Sequence, residues 1–244
     1  MVLPYNAFVM ALPKPARPEY STTLPSSGKR IKYMPFTVRE EKVLVLAAEG
    51  QDPDEITNAI SNVLSTCISS PADIKIHDLA LFDIEYLFLK TRAKSAGETL
   101  DLQLTDPDDP TFTTDIKINI DKIGVKRDEE HTDLIELEEG LMIKMRYPDI
   151  SFFNEGINMT TVSSQLDLIA RCVSQIVAGE EVYNSEDMSS GEVQEWLESL
   201  TTEQFQKIVK FFQTMPKLSH TVKARNTNTD KDFTVTLEGL QDFF

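Results

Sequence analysis

Near Gly97 the hydrophobic period of this chain changes from about 3.6 residues to about 2, and no other feature narrows the possible folds as far. Upstream, apolar residues recur at helical spacing. Val38, Val43, Leu44, Leu46 and Ala47 form one set, Ile56, Ile60, Val63, Leu64 and Cys67 a second, and Ile84, Leu87 and Phe88 a third. Downstream, Leu100, Leu102 and Leu104 alternate with polar residues. So do Ile116, Ile118 and Ile120, then Ile135 and Leu137, then Leu141, Ile143 and Met145. Alternation of this kind buries one face of a strand and wets the other, as antiparallel sheets do. Helices and strands segregated along the chain predict an α+β fold.

Local signals sharpen the boundaries. Around Ser26-Ser27-Gly28-Lys29 a turn is expected, between extended stretches at Tyr20–Leu24 and Arg30–Tyr33. Thr37…Glu40 reads as a capping box opening a helix that ends near Gly50. Asp52-Pro53-Asp54-Glu55 opens the next, with proline at its first position, and that helix stops before Pro71. A third is expected over Phe82–Ser95, with Asp83 capping its start and Arg92 and Lys94 suited to its negative end. The turns Asp106-Pro107-Asp108-Asp109-Pro110 and Glu138-Glu139-Gly140 join four strands into a predicted antiparallel β-meander. Helices follow over Ser163–Val177, Ser190–Leu200 with the single Trp196, and Thr201–Met215 behind a Thr201…Gln204 capping box. A terminal hairpin, Leu218–Arg225 with Phe233–Leu237, turns on Asn226–Asp230. The expected organisation is a proline-rich extended arm at 1–19, a helical region at 20–97, the meander at 98–150, and helices with a β-hairpin at 151–244. The last three are compatible with one integrated domain.

A chain of 244 residues can bury a sizeable core, and no apolar run approaches membrane-spanning length. Val2–Leu12 has the apolarity of a signal peptide but no basic flank before it, and Pro4 interrupts its helix, so an exposed arm is expected. Cys67 and Cys172 fall in different predicted helices without a CxxC pair, which fits a reducing cytoplasm. Net charge is −16, yet residues 1–34 carry five cations against Glu19 alone, so the remainder carries −20. Such a body disfavours nucleic acid, whose binding rests on neutralising phosphates. It suits partners with basic faces, and equally it suits a solvated surface with no partner meaning.

No arrangement of chemistry-bearing residues stands out. His77, His131 and His220 lie in three separate segments, so solvated or locally bonded rings are expected. The pairs Glu40/Glu41, Glu129/Glu130, Glu138/Glu139 and Glu180/Glu181 point apart and sit at element ends, unlike a glycosidase dyad. The Asp106–Pro110 turn lacks the glycine and distal glutamate of an EF-hand. No enzyme activity, cofactor or metal is expected. Aromatic clusters are the better lead: Phe205, Ile208, Val209, Phe211 and Phe212 crowd one helix, Phe152-Phe153 form a pair, and Phe243-Phe244 end the sequence. A core stripe accounts for most of the helix, but Phe205, Phe211 and Phe212 do not all face one way. The residues expected to meet a partner are Phe211, Phe212, Leu240, Phe243 and Phe244.

Three stretches carry a resemblance: LPSSGKRIKYMPFTVREEKVLVLAAEG, LFDIEYLFLKTRAKSAGE, and FFQTMPKLSHTV with LEGLQDFF. Together they make the chain, over roughly residues 20 to 244, similar to the T4-type bacteriophage baseplate hub protein family. The arm at 1–19 has no counterpart in that pattern, and the shared motifs are structural rather than catalytic. The resemblance implies a non-enzymatic tail protein that acts in the host cytoplasm as an assembly factor, or chaperone, for the baseplate hub. The partners it implies are other baseplate hub or tail proteins, with neither nucleic acid nor membrane. A permanent hub subunit in the virion tail is the alternative, and a cell-wall hydrolase built on two of the carboxylates is a more distant third.

Overall fold

The computed structural model describes residues 15–50, 52–150, 162–239 and Phe243. Residues 1–14 of the expected arm, Phe152-Phe153, Leu240 and Phe244 lie outside that set. Strands β1 (Tyr20–Thr23) and β2 (Arg30–Tyr33) form an antiparallel hairpin, closed by Gly28 at a φ of +70° that a side chain would resist. Helix α1 (Val38–Gly50) starts where expected: the Thr37 amide donates to Glu40 Oε2 at 2.7 Å, and the Arg39 amide donates to Thr37 Oγ1 at 3.3 Å. Helix α2 (Pro53–Cys67) opens on its proline, and β3 (Ile68–Ser70) then pairs with β2.

Helix α3 (Leu81–Ala96) ends at Gly97, whose φ of +113° breaks the helical path. Its cap differs from expectation. Ala80 is the N-cap, and Asp83, fully buried, accepts from the Ser26 amide at 3.0 Å and from the Ser26 hydroxyl. Asp83 therefore binds the β1–β2 turn to α3 instead of capping the helix. Thr22 Oγ1 and Tyr86 Oη, 2.9 Å apart, repeat the attachment one helical turn on.

Both expected central hairpins form. Strands β4 (Thr99–Asp106) and β5 (Asp109–Asn119) pair antiparallel, as do β7 (Leu134–Glu138) and β8 (Leu141–Met145). They belong to different sheets, however. The pair β4–β5 stands alone as a ribbon, while β7 and β8 extend into a four-stranded antiparallel sheet in the order β10-β9-β8-β7. Between them β6 (Val125–Lys126) leaves to pair with the C-terminal hairpin.

Helix α4 (Val162–Cys172) is shorter than its periodicity predicts. Val173–Ala178 is strand β9, hydrogen-bonded to β8 with Met142 opposite Val177 and Ile143 opposite Ile176. Val173, Ile176 and Val177 fit a helical spacing by coincidence, and β-branched residues beside an open strand follow the ladder. Strand β10 (Glu181–Asn184) completes that sheet. Helices α5 (Ser190–Glu198) and α6 (Thr202–Thr214) each open on a complete capping box, Ser189/Glu192 and Thr201/Gln204. Strands β11 (Lys217–Asn226) and β12 (Lys231–Glu238) make the terminal hairpin, and β6 pairs with β11.

Three cores result. The first packs α1, α2 and the inner face of α3, with Ile31, Leu64, Leu87 and Phe88. The second lies under the four-stranded sheet and α4 to α6. The third joins β4–β5 to β11–β12, with Leu100, Ile118, Leu218, Phe233 and Phe243. Helix α3 serves two of them, giving Ile84, Leu87 and Phe88 to the first and Leu89 and Ala93 to the third. A helix apolar on two sides is stable only when covered on both, and each large side chain so buried contributes about 1.5–3 kcal/mol.

Candidate interaction surfaces

The aromatic helix α6 packs inward through a joint centred on His131. Phe211 stacks with Tyr147, centroids 5.6 Å apart at 18°, and lies 5.0 Å from the His131 ring. Phe82 from α3 meets Tyr147 edge-on at 4.9 Å. The Thr214 hydroxyl donates to the Lys210 carbonyl at 2.8 Å, so toward His131 Nδ1, 3.0 Å away, it acts as acceptor. Nδ1 then carries the proton, and Nε2 accepts from the Tyr147 hydroxyl at 2.9 Å. Burial holds the His131 pKa below the usual imidazole value, and Arg127 pushes the same way against Asp133 and Asp128. The ring is a neutral structural link. His77 and His220 lie in a 3-10 turn and in β11, separate from it.

The residues expected to meet a partner divide accordingly. Phe211 is buried in the second core and Phe243 is fully buried in the third, so these two are not brought together. Phe212 is half-buried and packs edge-on against Phe211 at 5.1 Å. Leu240 and Phe244 lie outside the described residues. Helix α6 is further held to β7 by Lys207 Nζ, which donates to the Leu137 carbonyl at 2.8 Å.

The acidic turn between β4 and β5 is occupied by the protein itself. Asn226 Nδ2 donates to Asp106 Oδ2 at 2.7 Å and to Asp109 Oδ2 at 3.2 Å, while Asn226 Oδ1 accepts from the Asn228 and Thr229 amides. One fully buried amide thus locks the tips of two hairpins 120 residues apart. Among the described residues no group of three or more His, Cys, Asp and Glu side chains could hold a metal ion.

Two surfaces escape the sequence reasoning above. Helix α1 turns only Leu44 and Ala47 fully into the first core, while Val38 (80% exposed), Val43, Val45 and Leu46 (56%) face outward. Strand β10 is an edge strand with all four residues exposed, Val182 and Tyr183 among them. Apolar side chains on an edge strand and on an outer helix face mark places where another surface can add. The signal for α1 was present in its apolar residues, which fall on two opposite faces of the helix. No helix among the described residues is long and apolar enough to cross a membrane.

Compared with known families, the chain matches the model described as T4 bacteriophage base plate protein over residues 17–244, nearly its whole length. No curated protein matches it, and no solved structure does.

Proposed function

We propose that this chain, which belongs to the T4 bacteriophage base plate protein family, works as a non-enzymatic assembly factor for the central hub of the baseplate. The family match over residues 17–244 is the observation that carries this reading. It makes the chain a phage baseplate protein whose partners are other baseplate proteins. The finer role is to cover apolar surface on a hub or tail subunit in the host cytoplasm until its neighbours arrive. The excess of acids, forty against twenty-four Lys and Arg, supports that role by keeping the free protein soluble and by repelling contacts with acidic surfaces. Of the C-terminal contact residues, Phe212 is the described one with surface to offer, and Phe211 backs it from beneath.

Quantitative peptide mass spectrometry of purified virions against infected-cell lysate tests the role. An assembly factor is abundant in lysate and absent from virions. A fixed ratio to the tail subunits in the particle would overturn it in favour of a permanent hub subunit.

A further inference from the structure

Helix α1 has the composition of a buried helix in a surface position. Val38, Lys42, Val45, Leu46 and Glu49 recur at the spacing that places residues on one side of an α-helix, with Val43 flanking. This side is opposite Leu44 and Ala47, which enter the first core. Helix propensity does not account for it, because three of the outward aliphatics are valines, whose branched side chains weaken a solvated helix. A helix apolar on both sides is stable when both are covered.

The charges on this stripe indicate what covers it. Within the stripe Lys42 lies in the N-terminal half and Glu49 in the last turn, while Arg39 and Glu41 flank it on opposite sides and offset one another. Glu49 faces the negative end of its own helix dipole, which disfavours it there, and Lys42 and Glu49 are too far apart along the helix to pair with each other. Among the described residues neither has an ion pair within its own chain. A stripe that is cationic toward one end and anionic toward the other is complementary to itself when two copies run antiparallel. Setting Val45 opposite Leu46 of the second copy places Lys42 opposite its Glu49, and a two-fold axis repeats the pair.

We propose that α1 is a homodimerisation helix, pairing antiparallel with α1 of a second copy of this chain in that register. A 13-residue helix spans about 20 Å, so the contact falls at the small end of specific interfaces and the dimer is weak and concentration-dependent. The inference is independent of the baseplate role, since its test requires no other phage component.

The test is analytical ultracentrifugation of the full chain across roughly 1–200 µM, a range that brackets micromolar affinity. Wild type should shift from monomer to dimer. Val45→Asp should remain monomeric, and Lys42→Glu should weaken the dimer by about tenfold or more, because it replaces two attractions with two repulsions. The double variant Lys42→Glu/Glu49→Lys should recover most of the affinity. All three positions, Lys42, Val45 and Glu49, are exposed, and unchanged circular dichroism checks that the variants fold. A chain that stays monomeric throughout overturns the proposal. So does a dimer that neither single variant weakens, or a loss that the charge swap fails to restore.

Discussion

Tyr147 donates its hydroxyl proton to Nε2 of His131 across 2.9 Å, and the two rings stack at 22°. The bond joins residues on either side of the β7–β8 hairpin, and Phe82 and Phe211 close around it from α3 and α6. This joint ties α3 to the second core, and it is built for a neutral imidazole.

That neutrality makes stability depend on pH. Burial, with help from Arg127, lowers the folded pKa of His131, whereas the unfolded ring titrates near about 6.5. The unfolded chain therefore binds the proton first as pH falls. Stability is fully present above about pH 6.5 and is lost as pH falls through the folded pKa. Chemical denaturation should show a decline as pH falls below about 6.5, with a smaller decline in His131→Gln. Identical slopes in the two proteins would show that the imidazole is not the group responsible.

Asp83 has the opposite sign. Its pKa is raised chiefly by burial, against the Ser26 hydrogen bonds that lower it. Its contribution is complete below about pH 3.9 and diminishes as pH rises through the folded pKa. At pH 7, Asp83→Ala should cost about 1–3 kcal/mol in urea unfolding, because the Ser26 amide loses its acceptor. Asp83→Asn retains an acceptor without the buried charge and should cost less. An Asn variant as damaged as the Ala variant would show that the charge itself holds the turn.

Phe243 is the most buried of the residues expected to bind a partner. Phe243→Ala should destabilise the protein by about 3–5 kcal/mol, whereas Phe212→Ala, at a half-exposed site, should cost clearly less. Removing residues 238–244 should lower the thermal midpoint as Phe243→Ala does. Unchanged melting of the truncated chain would return the tail to the role of a free contact.

Asn226→Asp changes no volume but removes the amide donor between Asp106 and Asp109. Three carboxylates would then converge where Asn226 now sits. The loss should exceed about 2 kcal/mol at pH 7, and adding Asp109→Asn, which removes one of the three charges, should recover part of it. A loss that the second substitution leaves untouched would instead mean that the hydrogen-bond geometry, not the charge, is what Asn226 supplies.

Where residues act on near neighbours, the sequence was readable. The threonine and glutamate at 37 and 40, the Thr201–Gln204 box, Pro53 and Gly97 set helix ends through contacts a few residues long. The alternating leucines and isoleucines announced their hairpins for the same reason. The 163–177 segment failed because Val173, Ile176 and Val177 fall at helical spacing, and only pairing with β8, through a register shift between Lys144 and Met145, made them a strand.

By itself, then, the sequence determined the α+β class, most element boundaries, both central hairpins and the family resemblance, since each rests on local periodicity or on a motif. Tertiary structure decided which sheet received each hairpin, that Phe211 and Phe243 face inward while Val38 and Leu46 face out, and that Asp83, His131 and Asn226 are fasteners. Those outcomes depend on partners from 16 to 120 residues away, and helical or strand spacing shows which residues share a face without showing what that face meets.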